Sequence, residues 1–130
     1  MRKTITDEFR KFSVPEMLPM LHLTIGHRCK RFFELTQLNF YLIVCVGVLE
    51  DLRGAAFNST MVTLTGIHKQ HIQFHMETLT YFEYVVRKEK NRRLSFTLTK
   101  KGRKVAVKYQ QLYRKEILRL RTYGINFEDL

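Results

Sequence analysis

Residues 64–103 read LTGIHKQHIQFHMETLTYFEYVVRKEKNRRLSFTLTKKGR, and this stretch decides the fold. Gly66 breaks the chain after a short segment that ends at Thr65. From residue 68 to about residue 82, apolar residues recur at i, i+4 and i+7, which marks one face of an amphipathic helix. These positions are Ile72, Met76 and Leu79. A short helix, a glycine turn and an amphipathic helix follow one another in the order of a helix-turn-helix.

A β-hairpin is predicted directly after this second helix. Residues 85–88 and 94–98 are strand-like, and the link between them, Glu89-Lys90-Asn91-Arg92-Arg93, is charged. The hairpin therefore spans residues 85–98 and forms a basic wing beside the helix.

Helical spacing also predicts a helix on each side of this stretch. The apolar positions are Leu18, Leu21, Ile25, Cys29 and Phe32 in residues 15–33, and Val105, Tyr109, Leu112, Tyr113, Ile117 and Leu120 in residues 101–121.

At 130 residues the chain has the usual size of one domain. We expect a single domain over residues 1–130 with a core at about residues 35–103. Its class is mainly α with a small β-hairpin wing.

Two further helices are expected between residues 36 and 65. Thr36 is a cap for a helix that ends at Gly54. Taken alone, residues 43–48 are equally typical of a buried strand, because their β-branched side chains favour sheets. Asn58-Ser59 predicts the start of the short helix that ends at Thr65, with Ser59 as its cap.

The positive charge is concentrated in one segment. The formal net charge is +11, and residues 85–108 contain ten basic residues and one acid, Glu89, so this segment alone contributes +9. Such a patch indicates a polyanionic partner, either nucleic acid or an anionic membrane surface. The longest apolar run, residues 40–49, is about half of the roughly 20 residues that cross a bilayer, so no membrane partner is expected.

Other classes of protein are disfavoured by what the sequence lacks. The two cysteines, Cys29 and Cys45, are too few for a disulfide framework, and no secretory signal pattern is present, so a cytoplasmic protein is expected. The sequence has no phosphate-binding glycine loop, serine elbow or paired catalytic carboxylates. We therefore expect neither enzymatic activity nor a cofactor.

With these features in place, the sequence resembles the MarR family of winged-helix transcription regulators over about residues 35–103. Three segments carry the resemblance: the one that begins Leu35-Thr36, the turn Leu64-Thr65-Gly66-Ile67, and Leu98-Thr99-Lys100-Lys101-Gly102-Arg103. The last is the most specific, because it matches the Leu-Thr-x-x-Gly-Arg that leads from the wing into the dimer helix.

Three positions depart from the family pattern. Glu83 stands where a glycine is usual, Lys90-Asn91-Arg92 replaces Asp-x-Arg, and His68 occupies the site of a small capping residue.

The resemblance implies a regulator that binds double-stranded DNA as a homodimer, with the helices of residues 15–33 and 101–121 as the dimer contacts. It leaves the identity of any small-molecule effector open. An architectural or recombination-associated winged-helix protein, without regulatory specificity, is the alternative. RNA binding is disfavoured because the aromatic residues lack the pattern of an RNA-binding sheet.

Side-chain chemistry assigns the DNA-binding residues. On the exposed face of the second helix, Lys69 can donate to guanine, Gln70 and Gln73 can pair with adenine, and Phe74 can pack on a thymine methyl group. His71 lies on the same face. Phe74 also fits a place in the core beneath the hairpin. The wing residues expected along the phosphates are Arg87, Lys88, Lys90, Arg92 and Arg93, although a charged run is often only a solvated face. The resemblance further implies that Arg92 enters the minor groove.

Two minor hypotheses concern metal binding and redox sensing. His68, His71 and His75 have the spacing to present imidazoles to one zinc ion, but no further ligand except Glu77 lies close by in the sequence, and no metal site is favoured. Cys29 lies beside Arg28, Lys30 and Arg31, which would lower the pKa of a sensor thiol. Cys45 lies in an apolar run, where thiols are usually inert.

Overall fold

The computed structural model describes residues 14–125, which form five helices and three strands. The helices are α1 (Val14–Phe33), α2 (Gln37–Arg53), α3 (Asn58–Thr65), α4 (Lys69–Tyr81) and α5 (Lys100–Arg121), and the strands are β1 (Ala56–Phe57), β2 (Val85–Lys90) and β3 (Arg93–Leu98). The predicted class, mainly α with a small hairpin, is confirmed.

The chain divides into two compact units. Of the described residues, 35–107 form one unit, and residues 14–34 together with 108–125 form the other. The helix-turn-helix and the wing lie in the first unit. The expectation of a single domain stays a prediction.

The ends of α2 are set by the residues that the sequence indicates. The Thr36 side chain accepts a hydrogen bond from the backbone N–H of Asn39 at 3.2 Å, as an N-cap does. Gly54 takes the left-handed conformation with φ of 81°, and its N–H donates to the Glu50 carbonyl at 2.8 Å. Residues 43–48 lie inside α2, so the helical alternative for this segment is the correct one.

The start of α3 differs from the prediction. The N-cap is Phe57, which makes no side-chain capping hydrogen bond, so the assignment of Ser59 as the cap is wrong. The reason is the short strand β1, which pairs antiparallel with β3 and places Phe57 opposite Ser95. This pairing fixes where the chain leaves the sheet and enters α3. The sheet is therefore three-stranded, in the order β1-β3-β2, where the sequence predicts only a hairpin.

The core of the unit formed by residues 35–107 lies among α2, α3, α4 and the sheet. Its fully buried side chains include Phe40, Ile43, Met61, Ile72, Met76 and Leu79. The last three are the apolar positions predicted for the second helix of the helix-turn-helix, so the buried face of α4 is the expected one.

The unit of α1 and the C-terminal part of α5 contains a buried carboxylate. Leu21, Ile25 and Cys29 of α1 are buried, as are Leu112 and Leu120 of α5. The Glu116 side chain is also fully buried and is ion-paired to Arg28 at 3.0 Å and to Arg119 at 2.8 Å. Such pairing is what a buried carboxylate requires to remain charged.

The Leu-Thr-x-x-Gly-Arg motif joins the wing to the helix-turn-helix. The Thr99 hydroxyl accepts from the Gly102 N–H at 3.1 Å at the start of α5 and donates to the Glu83 carbonyl at 2.5 Å. Gly102 lies directly against the Tyr84 carbonyl, where a Cβ atom would overlap the carbonyl oxygen. Only glycine fits at this position.

A carboxylate of α2 ties the same motif to the rest of the unit. The Glu50 Oε2 atom accepts from the Leu98 N–H at 2.9 Å, and its Oε1 atom accepts from the Arg103 guanidinium at 2.7 Å. The motif thus connects α2, the end of β3 and the start of α5.

Replacing Gly102 with alanine is expected to lower the free energy of unfolding by about 3 kcal/mol or more, because the added methyl group must displace backbone rather than a flexible side chain. Urea denaturation of the purified protein measures this change. Gly54→Ala is the matched control. A Cβ atom there meets nothing within 4 Å. The free energy of unfolding therefore falls only by the cost of placing alanine in the left-handed conformation, roughly 1 to 2 kcal/mol. Equal losses for the two variants would contradict the packing argument.

Candidate nucleic-acid interface

One face of α4 is free for a partner. His68 is the N-cap, and its Nδ1 atom accepts from the Gln70 N–H at 3.2 Å, so the imidazole takes the place of a small capping residue. With Ile72, Met76 and Leu79 buried, the opposite face carries the predicted contact residues. Lys69, Gln70, His71, Gln73 and Phe74 are all exposed.

Phe74 is not a core residue. Its side chain is 64% exposed, and its ring makes an edge contact with the His75 ring at a centroid distance of 5.4 Å. The alternative in which Phe74 packs beneath the hairpin is therefore wrong. An exposed aromatic ring on a polar helix face is available for contact with a partner.

The wing spans the predicted residues 85–98, but its strands are longer and its turn is tighter than predicted. β2 and β3 pair from Val85↔Leu98 to Lys90↔Arg93, which leaves only Asn91 and Arg92 in the turn. Both have positive φ, 53° and 63°, as a two-residue type I′ hairpin turn requires. The predicted five-residue link is wrong, because the charged residues on each side of the turn continue the strand pairing.

The basic side chains of the wing are exposed. Arg87, Lys88, Arg92 and Arg93 are all at the surface, and none of them forms an ion pair with another residue that the structure describes. The side chain of Lys90 lies outside the described part. Arg93 is held in place by the Phe57 ring, because its guanidinium lies 4.2 Å from the ring centroid.

A groove of about 580 Å³ brings α4 and the wing together. Lys69 and Gln73 line it from α4, Arg92 and Arg93 from the wing, and Asn58 and Ser59 from the start of α3. The structure thus places four of the predicted contact residues around one concave surface. Arg87 lies at a second cleft, of about 270 Å³, with Gln73, Glu77 and Tyr81 of α4.

The contribution of α3 to this groove is not foreseen from the sequence. The sequence predicts Asn58 and Ser59 only as the start of a helix. The signal that would have placed them here is the pairing of β1 with β3, and a two-residue strand has no recognisable sequence pattern.

No family model matches the sequence, and a search of curated proteins finds no match. The solved structures do show similarity. FabT from Streptococcus pneumoniae, in complex with DNA, has a TM-score of 0.69 at 15% identity, over 89% of this chain and 81% of that one. The transcriptional regulator BldR from Sulfolobus solfataricus has a TM-score of 0.68 at 15% identity, over 99% and 91%. MarR from E. coli in its oxidized form has a TM-score of 0.64 at 10% identity, over 90% and 85%.

The chain has the winged-helix fold. Within it, α3 and α4 are the helix-turn-helix and the β2–β3 hairpin is the wing, so the MarR-type architecture expected from the resemblance is confirmed at the level of the fold.

Glu83 follows α4 at the position where the family that the sequence resembles usually has glycine. The residue has a φ of 64°, the left-handed conformation that glycine adopts most easily. Its N–H donates to the Thr80 carbonyl at 3.0 Å and its carbonyl accepts from Thr99. These bonds hold the strained residue in place, because they tie it to both α4 and the start of α5.

The histidines of α4 do not gather into a metal site. The rings of His68 and His71 are 6.2 Å apart, and the Nδ1 atom of His68 is used in capping. Among residues 14–125, no group of three or more His, Cys, Asp or Glu side chains is arranged to hold a metal ion.

Burial raises the pKa of both cysteine thiols. For Cys29 this desolvation outweighs the opposing effects of the Lys30 charge and of a backbone hydrogen bond, and for Cys45 desolvation alone is responsible. A redox sensor needs the opposite shift, because the thiolate is the reactive form. The sensor hypothesis for Cys29 is therefore disfavoured.

None of the helices within residues 14–125 has the length and apolar character needed to span a bilayer.

Proposed function

We propose that this protein is a transcription regulator of the MarR type that binds double-stranded DNA through α4 and the β2–β3 wing. The observation that carries the proposal is the groove in which Lys69 and Gln73 of α4 face Arg92 and Arg93 of the wing. A polar helix face joined to a cationic hairpin fits one duplex, because the helix can read base edges while the hairpin follows the phosphates. FabT was crystallised with DNA, and BldR is named a transcriptional regulator. Both names support a binding protein rather than an enzyme.

In this proposal α4 enters the major groove. Lys69 donates to guanine, and Gln70 and Gln73 form paired hydrogen bonds with adenine. Phe74 packs against a thymine methyl group, which its 64% exposure allows. His71, exposed on the same face, lies within reach of the backbone or a base edge.

In this proposal the wing makes contacts that do not depend on the base sequence of the DNA. Arg87, Lys88, Lys90 and Arg93 follow the phosphates, and Arg92, at the tip of the turn, inserts into the minor groove. The tight type I′ turn favours this role, because it holds Arg92 at the end of the paired strands β2 and β3.

We further propose a homodimer, in which α1 and α5 pack against their counterparts in a second copy. Leu23 of α1 and Leu118 of α5 are 66% and 59% exposed in the single chain, so each helix has apolar surface for a partner to cover. Two copies would present two α4 helices to half-sites about one helical turn apart.

Replacing Arg92 and Arg93 with alanine is expected to weaken binding to every duplex and to flatten the dependence of log K on log salt, because fewer counterions are released. Fluorescence anisotropy at several salt concentrations measures both effects. The control is Arg53→Ala, which removes one positive charge from an exposed position at the end of α2, outside the wing and the proposed dimer helices. If the slope of log K against log salt is the same as for the wild type, the wing tip does not contact the DNA.

Gln73→Ala is expected to cost on the order of 1 to 3 kcal/mol on the preferred site and much less on unrelated duplexes, because a base reader contributes only where its base is present. Competition binding with the two kinds of duplex gives the difference. Leu52→Ala, at an exposed position of α2 outside α4, the wing and the proposed dimer helices, is the control. If Gln73→Ala lowers the binding free energy by the same amount on unrelated DNA, Gln73 does not read a base.

A further inference from the structure

A carboxylate lies on the exposed side of α4, where the other charged and polar groups favour a polyanion. The helix has 13 residues, and Glu77 is its one acidic side chain. Glu77 is exposed and forms no ion pair with another residue that the structure describes. Its negative charge repels phosphates, in a protein whose net charge is +11. General attraction to DNA therefore does not explain this residue.

The position of Glu77 along α4 groups it with the proposed base readers. It lies about one turn after Gln73 and about two turns after Gln70, on the same side of the helix. Gln70, Gln73, Phe74 and Glu77 thus have the spacing i, i+3, i+4 and i+7. Base-contacting residues of a homeodomain recognition helix are spaced in the same way. A helix that brings Gln70 and Gln73 to base edges also brings Glu77 to them.

The surroundings of Glu77 leave its carboxylate open to an outside donor. It lines the cleft of about 270 Å³ between α4 and the wing, together with Gln73 and Tyr81 of α4 and Arg87 of β2. Arg87 is the nearest candidate for an ion pair in this cleft, and the two side chains form none. The cleft opens beside Gln73, so the carboxylate and the proposed adenine reader face the same part of a bound duplex.

The chemistry of a carboxylate selects among the base edges of the major groove. Its two oxygen atoms only accept hydrogen bonds. Cytosine presents the N4 amino group, which donates, whereas guanine and thymine present acceptor atoms at the same edge. Adenine presents a donor next to the N7 acceptor, and N7 repels a carboxylate. Cytosine is therefore the base that a carboxylate in the major groove prefers.

We propose that Glu77 is a specificity-determining residue, whose carboxylate accepts a hydrogen bond from the N4 amino group of one cytosine in each half-site. The inference rests on the proposed function, because it needs α4 to lie in the major groove. Opposite guanine or thymine the carboxylate meets an acceptor, and on unrelated DNA its charge is not compensated. Glu77 thus lowers affinity for wrong sequences, while the cations of the wing attract every duplex alike.

Glu77→Gln tests the assignment, because it keeps the size of the side chain and removes the charge. A glutamine amide both donates and accepts, which suits adenine. The preference at one position of the half-site is expected to change from cytosine to adenine, and binding to unrelated duplexes is expected to tighten. Glu89→Gln, at an exposed position of β2, is the matched control. It removes the same charge from the wing and is expected to tighten binding without changing any base preference.

Competition binding measures these preferences. The site selected by the wild-type protein is varied one base pair at a time, in both half-sites together, and thermal melting establishes that each variant is folded. The wild type and Glu89→Gln are expected to favour cytosine about tenfold at one position, and Glu77→Gln is expected to lose this preference. If Glu77→Gln keeps the wild-type preference at every position, the role of Glu77 is wrong and the proposed function stands. If the wild type prefers no base at any position, both are wrong.

Arg87→Ala separates direct reading by Glu77 from an indirect effect through the wing. If Glu77 acts only by orienting the Arg87 guanidinium, the cytosine preference disappears when that guanidinium is removed. Direct reading predicts that Arg87→Ala binds every duplex more weakly, because a phosphate contact is lost, and keeps the cytosine preference. Loss of the preference in Arg87→Ala would contradict a direct contact between Glu77 and the base.

Discussion

The close approach of Gly102 to the Tyr84 carbonyl is the constraint on which the winged-helix unit depends. Tyr84 lies between α4 and β2, and its carbonyl also accepts from the Thr99 N–H at 3.1 Å. The start of α5 is thereby fixed against the chain that leaves α4. Because the hairpin is enclosed between Tyr84 and Thr99, its position beside α4 follows from this one junction. The junction therefore helps to set the groove that α4 and the wing line together.

The polar interactions around this junction differ in how much they stabilise the fold. The Arg103 side chain is 57% exposed, so its ion pair with Glu50 contributes at most about 1 kcal/mol. The bond from the Leu98 N–H to Glu50 matters more, because a buried strand N–H without an acceptor is costly. The packing of Gly102 has the largest effect, since backbone cannot move aside as a side chain can. The Leu-Thr-x-x-Gly-Arg motif is therefore mainly a packing motif, in which Arg103 adds a weaker contact.

The sequence predicts the regular elements well because their signals are local. Apolar spacing places Ile72, Met76 and Leu79 on the buried face of α4, and Gly54 and Gly66 end α2 and α3 in the left-handed conformation. The turn of the wing was harder to predict. A type I′ turn usually carries glycine, and Asn91-Arg92 has none. The groove could not be predicted, because its residues come from three elements separated in sequence and joined through the pairing of β1 with β3.

The central claim is that α4 and the wing together select a DNA sequence. Selection from a pool of random duplexes with the purified protein tests it most directly, because sequence preference, symmetry and half-site spacing emerge from one measurement. The account predicts enrichment of a short inverted repeat whose half-site centres lie about 10 base pairs apart. Binding that increases with duplex length and enriches no motif would contradict it, because an architectural protein behaves in that way.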